Sequence, residues 1–564
     1  MIMFVSVAIF SQEALKSTEE EYYDFLSLTG VVERPTLGYR TLSDSVWTYN
    51  DVESFEENED GTFTKVLVSG KESDQNIWKN NNLGTTYTLW SAEDPADNWF
   101  VRGIKQSLTM RIYGPEWFNS YNTTVPYGQN DGALWQGRGY NTALTGGIRF
   151  EGYGFEATFK PQVSFSQNLE FELMASNYDS PFGYFRGYST NVGIDAPQRF
   201  GDSAFWNFDW GDSEIRWMWK TVTLGFGTQS IYLGPTNYNS ILHTNNAPTY
   251  PKFDIGIRKT KVTIPYFNWY IGDIESRIWM GYLTESDYFD SNNTNNHNRI
   301  NGFTFSYSTS FLSGLSFGVT KVCVSKWDSF DINYLNPFYS ANGGVGTAVG
   351  EDQKASLFVD YVFNKIGLEI YGEIGIDDYL QGGFIYGSLR YPFDSMLGTI
   401  GLKKSYDLTS TMKIECIIEL SNMEQPRNRL AANTSYTYNF HHQITQGYTN
   451  KGQYIGTFLA NGGNSQIFAL RLYYSKGLTE LYLQRYNPDS TFSFVNQAGN
   501  HTYKANSIVS LFSNYYLNSY ITVFSGITFD YIINSYYYFE SEGVKKPSIN
   551  QSNFSFELGV KYLQ

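Results

Sequence analysis

Long apolar segments are missing from this chain, and so is much of the charge that a soluble enzyme of its size carries. Charged residues make up only 17% of the 564 residues. No internal stretch of about 18 apolar residues occurs, which excludes a helical membrane protein. The low charge argues against an ordinary soluble enzyme.

Cysteine and histidine are also scarce. Cys323 and Cys416 are too few and too far apart for a metal site or a disulfide framework, so we expect two small apolar strand residues, although an oxidising compartment permits a disulfide. The histidines are His243, His297, His441, His442 and His501. Adjacent strand residues point to opposite faces, so the His441–His442 pair cannot bind one ion from a regular strand. We therefore expect no metal and no cofactor.

Basic clusters are the third absence. The formal net charge is −16, and no run of lysine and arginine occurs. A nucleic-acid partner is therefore not expected, because such proteins present a basic surface to the phosphates.

Aromatic residues, by contrast, are abundant: 46 tyrosines, 42 phenylalanines and 13 tryptophans make up 18% of the chain. The mean hydropathy is nevertheless −0.36. A transmembrane β-barrel has this composition, because its strands alternate apolar outward with polar inward residues and aromatic girdles mark both membrane interfaces.

Period-two alternation runs through most of the chain. In "GLEIYGEIGID", Leu368, Ile370 and Ile374 share one face, and Glu369 and Glu373 share the other. Alternation over 9–13 residues suits a tilted membrane-spanning strand. We predict an all-β fold, a large antiparallel transmembrane barrel of about 16–18 strands, an even number that leaves no edge. A soluble sandwich or propeller is the alternative, but a propeller needs a repeat of about 40–50 residues and none is found.

The first part of the chain differs from the rest. Residues 1–11 are apolar and are expected to be a signal peptide, shortened at its start; a buried strand is the alternative. Residues 12–95 are predicted to form a helical and loop cap with a short strand pair, and residues 96–564 the barrel. The cap contains a capping box from Ser17 to Glu20, and Gly30 is predicted as the C-cap.

The sequence gives little indication of catalytic groups. Glu369 and Glu373 lie four residues apart, about 13 Å along one strand. That separation exceeds what a glycosidase carboxylate pair needs. We therefore expect no catalytic residues, and instead a lumen network in which Asp360, Glu369, Glu373 and Asp377 pair with lysine and arginine.

A stretch rich in planar polar groups lies between two predicted strands. It is "PYGQNDGALWQGRG", residues 126–139, and it places Gln129, Gln136 and Arg138 near the indole of Trp135. Sugars are bound by this combination, with hydroxyls on amides and a C–H face on an aromatic ring. The same residues also suit a loop built on Asn, Asp and Gly turn chemistry, and both interpretations stay open.

The segment "SIYLGPTNYNSILHTNNAPTYPK", residues 230–252, is far longer than a hairpin turn of about 2–5 residues. Pro235, Pro248 and Pro251 cannot pair in a central ladder, and asparagines satisfy irregular backbone locally. We expect an ordered, polar, non-strand segment folded into or over a barrel mouth.

This segment also resembles the signature of the Wzi family of capsule-assembly outer-membrane proteins. The likeness is carried by the turn 232–235, by the stretch 244–251 and by further pieces at 335–339, 352–378 and 441–456. "YYDFLSLTGVV" is similar to the helical start of that family.

The resemblance implies an occluded barrel of about 18 strands in the outer membrane of a Gram-negative-type envelope, with a periplasmic helical cap. It implies lectin-like, non-catalytic binding of surface or capsular polysaccharide. We also expect a monomer in contact with outer-membrane lipid. The candidate sugar contacts are Gln129, Trp135, Arg138, Asn245 and Asn246. A porin or oligosaccharide-uptake channel and an outer-membrane hydrolase are the alternatives.

Overall fold

The computed structural model describes residues 17–58, 62–70, 86–92, 108–174, 180–183, 194–327, 350–377, 396–425, 438–441, 443–490, 503–518, 520–536, 540–541, 544–545 and 549–562. The predicted signal peptide at residues 1–11, the piece at 335–339, His442 and His501 lie outside the described residues.

Eighteen antiparallel strands form one closed barrel. In chain order they are β1 Leu108–Asn122, β2 Gly139–Gly152, β3 Phe155–Phe159 with Gln162–Ser166, β4 Phe205–Asp209 with Glu214–Trp219, β5 Val222–Gly227, β6 Lys252–Ile264, β7 Trp269–Thr284, β8 His297–Thr309, β9 Leu315–Lys326, β10 Glu351–Phe363, β11 Leu368–Asp377, β12 Met396–Thr409, β13 Met412–Asn422, β14 Asn464–Tyr474, β15 Gly477–Asn487, β16 Ala505–Tyr516, β17 Ile521–Ile533 and β18 Gln551–Tyr562. Each strand pairs with the next, and residues 555–561 of β18 close the barrel on residues 116–122 of β1. The predicted fold class is confirmed.

The alternation in the sequence separates the two surfaces of the barrel. On β18, Phe554, Phe556 and Leu558 are 41%, 46% and 57% exposed on the outside, whereas Asn553 and Ser555 are buried inside. A closed sheet with an apolar exterior and a polar interior is built for a bilayer. The chain is an outer-membrane β-barrel, as predicted.

Among the described residues, no helix combines the length and apolar character needed to cross a membrane. Cys323 on β9 and Cys416 on β13 lie within strands and are not joined in a disulfide.

The barrel has one seam with an additional strand. Residues 108–113 of β1 pair with the short strand Thr86–Ala92, while the remainder of β1 pairs with β18. The change of partner occurs at Gly114, whose φ of +66° suits glycine, and at Pro115, which lacks an N–H for the ladder. The segment expected to be a cap, residues 12–95, therefore also contributes a strand to the barrel sheet.

The two ends of the barrel differ in loop length. Residues 153–154, 410–411 and 475–476 make short turns at one end. Residues 123–138, 228–251 and 423–463 connect strands at the other end. Outer-membrane barrels place short turns in the periplasm and long loops outside the cell, so the long-loop end is the extracellular mouth.

The described residues contain one α-helix, α1 (Thr18–Ser27), which lies at the periplasmic end. Ser17 is its N-cap, as predicted, and its Oγ accepts a hydrogen bond from the Glu20 backbone N–H at 3.1 Å. The C-cap prediction was wrong: Leu28 ends the helix, and Gly30 follows it with a φ of +76°. A left-handed residue is needed there to turn the chain, which is the role glycine fills at helix ends.

Short strands accompany the barrel. They are Val32–Glu33 with Thr48–Tyr49, Tyr39–Arg40 with Tyr232–Leu233, Asp51–Glu57 with Phe63–Ser69, Thr449–Asn450 with Gln453–Tyr454, and Glu540–Ser541 with Val544–Lys545. Two 3₁₀ turns span Asn364–Ile366 and Phe458–Asn461. The short strand pair predicted in the N-terminal segment is the Asp51–Glu57 hairpin.

The loop 228–251 enters the barrel and forms its inner core. Ile231, Leu233 and Ile241 are fully buried and pack with wall residues such as Trp279 and Ile300. The predicted insertion is present, but the expectation of a polar segment was incomplete. The apolar residues of this loop bury themselves against inward-facing apolar residues of the wall, because that removes both from water.

Candidate functional site

The extracellular loops enclose a cavity of about 340 Å³, here called the mouth cavity. Its described wall residues come from the loops 123–138, 167–204, 228–251, 423–463, 488–504 and 534–550 and from the extracellular ends of β15, β16, β17 and β18. Seven of the described lining residues are aromatic, namely Tyr127, Trp135, Phe171, Tyr454, Phe458, Tyr486 and Tyr536. They lie among polar residues, which include Gln129, Asp131, Gln136, Asn246, Gln453, Lys504, Asn506, Asp530 and Gln551. Aromatic faces among amides and carboxylates are the groups that hold a polyhydroxylated ligand.

Three of the five predicted sugar contacts meet in this cavity. Gln129, Trp135 and Asn246 all line it, although Asn246 comes from a different loop. The Gln129 amide is held by a 2.9 Å hydrogen bond from its Nε2 to Oε1 of Gln484, and Asn246 Nδ2 donates to the Tyr454 carbonyl at 3.2 Å. These bonds fix the side chains before any ligand arrives, which limits the entropy that binding must offset.

Arg138 and Asn245 are not part of the described cavity wall. Arg138 donates instead to two backbone carbonyls, of Thr123 at 3.1 Å and of Glu170. The Asn245 backbone carbonyl accepts from the Gly132 N–H at 2.8 Å, so this residue joins two loops. Both residues connect loops that form the mouth.

Trp135 provides the aromatic surface of the cavity. Its ring centroid lies 4.7 Å from that of Phe200, and this contact holds the indole in place. Its Nε1–H has no hydrogen-bond partner among the described residues. A buried donor of this kind is costly to leave unpaired, so a ligand oxygen would be favourable here.

Asp131 lies in the same wall without a cation. Burial raises the pKa of Asp131 well above its usual range, and the nearby Glu557 carboxylate raises it further, while a hydrogen bond from Gln136 opposes the rise. The carboxyl therefore keeps its proton to a higher pH than an ordinary aspartate does, and a cation bound beside it would favour its ionised form.

Residues from the far end of the chain were not predicted for this site. Asn506, Asp530 and Gln551 complete the cavity wall. Alternation along β17 already places Asp530 on the inner face. The alternation does not show which inner residues border a cavity, because the position of the cavity depends on loops that are hundreds of residues away in the sequence.

The predicted lumen carboxylates lie elsewhere, below the mouth. Arg34, from the N-terminal segment, contacts Glu369 at 2.5 Å, Asp360 at 3.0 Å and Asp24 at 2.9 Å. This cluster borders a second cavity, of about 350 Å³, at the periplasmic end. Burial alone would raise the pKa of Asp24, but Arg34 and Lys403 lower it well below its usual value.

The other two carboxylates are held separately. Asp377 lies 3.2 Å from the ammonium of Lys354, which also contacts Asp352 at 2.7 Å. Glu373 accepts the Ile241 backbone N–H at 3.1 Å, so it contacts the inserted loop. The four residues thus belong to three separate sets of contacts.

Two further wall carboxylates hold inserted segments by their backbone. Glu419 on β13 accepts the N–H groups of Asn237, Tyr238 and Asn239 at 2.8–3.1 Å. Glu275 on β7 accepts those of Leu37 and Gly38 at 2.8 and 2.9 Å. A carboxylate that receives two or three N–H bonds fixes the backbone around it, and these bonds are charge-assisted.

The histidines have structural contacts. His243 is buried, and its Nδ1 lies 3.1 Å from the Thr244 carbonyl and its Nε2 2.9 Å from the Tyr250 hydroxyl. His297 is paired with the Tyr282 ring at 4.8 Å, and His441 Nδ1 accepts two backbone N–H groups. Within the described part of the chain, no group of three His, Cys, Asp or Glu side chains is arranged to hold a metal.

Similar proteins were found among solved structures but not by comparison of sequences. No protein-family model matches the sequence, and no curated protein matches it either. The structure is similar to that of Wzi of Escherichia coli, described as an outer membrane protein involved in group 1 capsule assembly and as a carbohydrate binding β-barrel. The TM-score is 0.50 and the identity 13%, over 79% of this chain and 83% of that one.

Two Acinetobacter baumannii proteins are also similar. OccAB1 matches with a TM-score of 0.37 and 7% identity over 80% of this chain and 96% of that chain. The outer membrane channel DcaP matches with a TM-score of 0.31 and 8% identity over 81% of this chain and 97% of that chain. The resemblance to Wzi noted in the sequence is supported at the level of the barrel fold.

Proposed function

We propose that this outer-membrane barrel binds surface polysaccharide at its mouth cavity and serves capsule assembly or attachment without catalysis. The observation that supports this most is the cavity itself, in which Trp135 lies beside the fixed amides of Gln129 and Asn246. An indole face with hydrogen-bonding groups at its edge matches the C–H face and the hydroxyls of a sugar ring. The similarity to Wzi, which is described as a carbohydrate-binding barrel, adds support to this proposal.

Binding of surface polysaccharides to the detergent-solubilised full chain tests the proposal directly. Trp135→Ala is expected to weaken binding about tenfold or more, because an aromatic platform at the centre of a site carries much of its energy. Trp206→Ala is the matched control, since that indole lies on the outer face of β4 and is 70% exposed. Absence of binding to every polysaccharide of the producing cell would refute the proposal.

A role in retention of the polysaccharide has its own measurement. Deletion of the gene is expected to move polysaccharide from the cell-bound to the released fraction, and the Trp135→Ala protein should restore retention poorly. The channel alternative predicts a different result, namely large steady currents in planar bilayers. Unchanged retention after deletion together with such currents would favour the channel.

A further inference from the structure

We propose that the mouth cavity prefers glycans with free amino groups, that is, non-acylated hexosamine units, over neutral N-acylated glycans and over acidic ones. This inference rests on the proposed function and specifies the chemical class of the ligand. It follows from the balance of charge and of hydrogen-bonding groups in the wall.

Carboxyl groups outnumber basic groups in the described wall. Among the described lining residues, three carboxylates, Asp131, Glu172 and Asp530, lie against one cation, Lys504. Burial lowers the pKa of Lys504, while Asp489 and Asp530 raise it. One ammonium balances one carboxylate at most, so the cavity favours a ligand that brings positive charge and disfavours a uronate.

Asp131 is the carboxylate that most lacks a counter-charge. In the described part of the chain it forms no ion pair, and the group whose charge acts on it is a second carboxylate, Glu557. Glu557 likewise has no lysine or arginine partner there. Two neighbouring buried carboxyls without a cation stabilise a bound ammonium, in the way that a paired charge stabilises any buried carboxylate.

The hydrogen-bonding groups point to the same ligand. Asp530 is 3% exposed; its Oδ2 accepts from Asn506 Nδ2 at 2.8 Å, and its Oδ1 has no described partner. Oδ1 of Asn506 and Oε1 of Gln136 are also buried and unpaired, and both residues are at most 4% exposed. Buried acceptors without donors are unfavourable. An ammonium group supplies three N–H donors and no acceptor, whereas an acetamide supplies one donor and adds an acceptor.

The amine and its acetylated form make a matched pair of ligands. The probes are a glucosamine tetramer, the N-acetylglucosamine tetramer and a galacturonate tetramer, measured by calorimetry with the full chain in detergent, below the pKa of the sugar amine. We expect the amine form to bind about tenfold more tightly than its acetylated counterpart, the increment of one charge-assisted hydrogen bond, and the uronate to bind most weakly.

Asp530→Asn and Asp131→Asn are expected to remove that tenfold preference for the amine form over the acetylated form. Asp202→Asn makes the same change of charge on a side chain that is 85% exposed and outside the cavity wall, so it should keep the preference. Heat-modifiable migration on gels verifies that each variant is folded.

The outcomes separate this inference from the proposed function. Equal or tighter binding of the acetylated or the acidic tetramer, lost in Trp135→Ala, overturns the amine preference and leaves glycan binding intact. A preference that survives both aspartate variants also overturns it. Binding of no glycan at all overturns both proposals.

Discussion

The Glu419 carboxylate on the barrel wall accepts the backbone N–H of Asn237, from the inserted loop, at 2.8 Å. The next two N–H groups of the loop bind the same carboxylate, and the Tyr371 hydroxyl donates to it at 2.9 Å. One buried wall residue therefore fixes a complete turn of the loop that fills the barrel. Any residue except proline supplies these backbone N–H groups, and at Asn239 the side-chain Nδ2 donates to the same carboxylate at 3.1 Å as well.

Removal of this anchor is expected to loosen the filling of the lumen. Glu419→Gln keeps the size of the side chain but replaces one accepting oxygen with an N–H₂ group that opposes the loop N–H groups. We expect small steady currents from the unaltered protein in planar bilayers and clearly larger or flickering currents from Glu419→Gln.

Glu415→Gln is the control, since Glu415 lies on the same strand but contacts Arg471 and the Tyr473 hydroxyl instead of the loop. Equal currents from Glu419→Gln and the unaltered protein would show that the loop is held by its apolar core alone.

Arg34 is expected to be the main electrostatic link between the N-terminal segment and the wall. Arg34→Met removes the cation and leaves Glu369, Asp360 and Asp24 buried together. Removing one partner of a buried ion cluster costs about 3–5 kcal/mol. In this cluster Lys403, which contacts Asp24 and Glu369, would be left as the cation for three carboxyl groups. Denaturant unfolding of the folded barrel should show this loss.

Lys65→Met provides the comparison. Lys65 pairs with Glu53 on the N-terminal hairpin, where both side chains are more than half exposed. An exposed pair contributes at most about 1 kcal/mol. Equal effects of the two substitutions would contradict the assignment of Arg34 as an anchor.

Much of the barrel follows from alternation alone. On β11, Glu369, Tyr371 and Glu373 are buried while Ile370 and Ile374 are exposed, as their order in the sequence predicts. The face of a strand residue is decided by its immediate neighbours, because successive side chains point to opposite sides. The approximate strand count and the outer-membrane location were predicted from the same alternation, whereas the N-cap at Ser17 was predicted from its spacing to Glu20.

The contacts among the loops inside the barrel could not be predicted from the alternation. Trp135 and Gln129 were recognised by their residue types, but Arg138, of equally suitable chemistry, turns to the backbone carbonyl of Thr123. Asp530 completes the cavity from about 400 positions further along the chain. Such contacts depend on how several long loops pack against each other, and no local period records that.

His243 is expected to stay neutral well below the pH at which histidine normally titrates. Burial, with the charge of Lys252, lowers the pKa of His243 from 6.5 to about 3, although the hydrogen bond to the Thr244 carbonyl opposes this. Since that carbonyl can only accept, Nδ1 carries the proton and Nε2 accepts from the Tyr250 hydroxyl.

The lowered pKa of His243 makes the folding stability depend on pH in a definite direction. Below the ordinary pKa the unfolded chain binds a proton at His243 that the folded protein does not, so this residue lowers the stability as the pH falls from 6.5 towards about 3. The slope is up to about 1.4 kcal/mol per pH unit. NMR of ring-labelled histidine, assigned with a His243→Asn variant, should show no titration of His243 between about pH 7 and pH 4. A titration midpoint near the ordinary pKa of histidine would refute the prediction that His243 is buried in its neutral form.

Gly302 on β8 is expected to tolerate no side chain. An added Cβ would lie only 1.9 Å from the indole of Trp279, which is 1% exposed and fixed in the inner core. Gly302→Ala therefore forces the ring to move, and such overpacking costs about 1–3 kcal/mol.

Gly372→Ala on β11 is the matched substitution, since its Cβ would meet only a backbone oxygen at an ordinary 3.6 Å. Denaturant midpoints and tryptophan fluorescence should change for Gly302→Ala and remain near the starting values for Gly372→Ala. Because the two changes add the same methyl group to a barrel strand, equal shifts would mean that strand propensity, and not the contact with Trp279, decides the result.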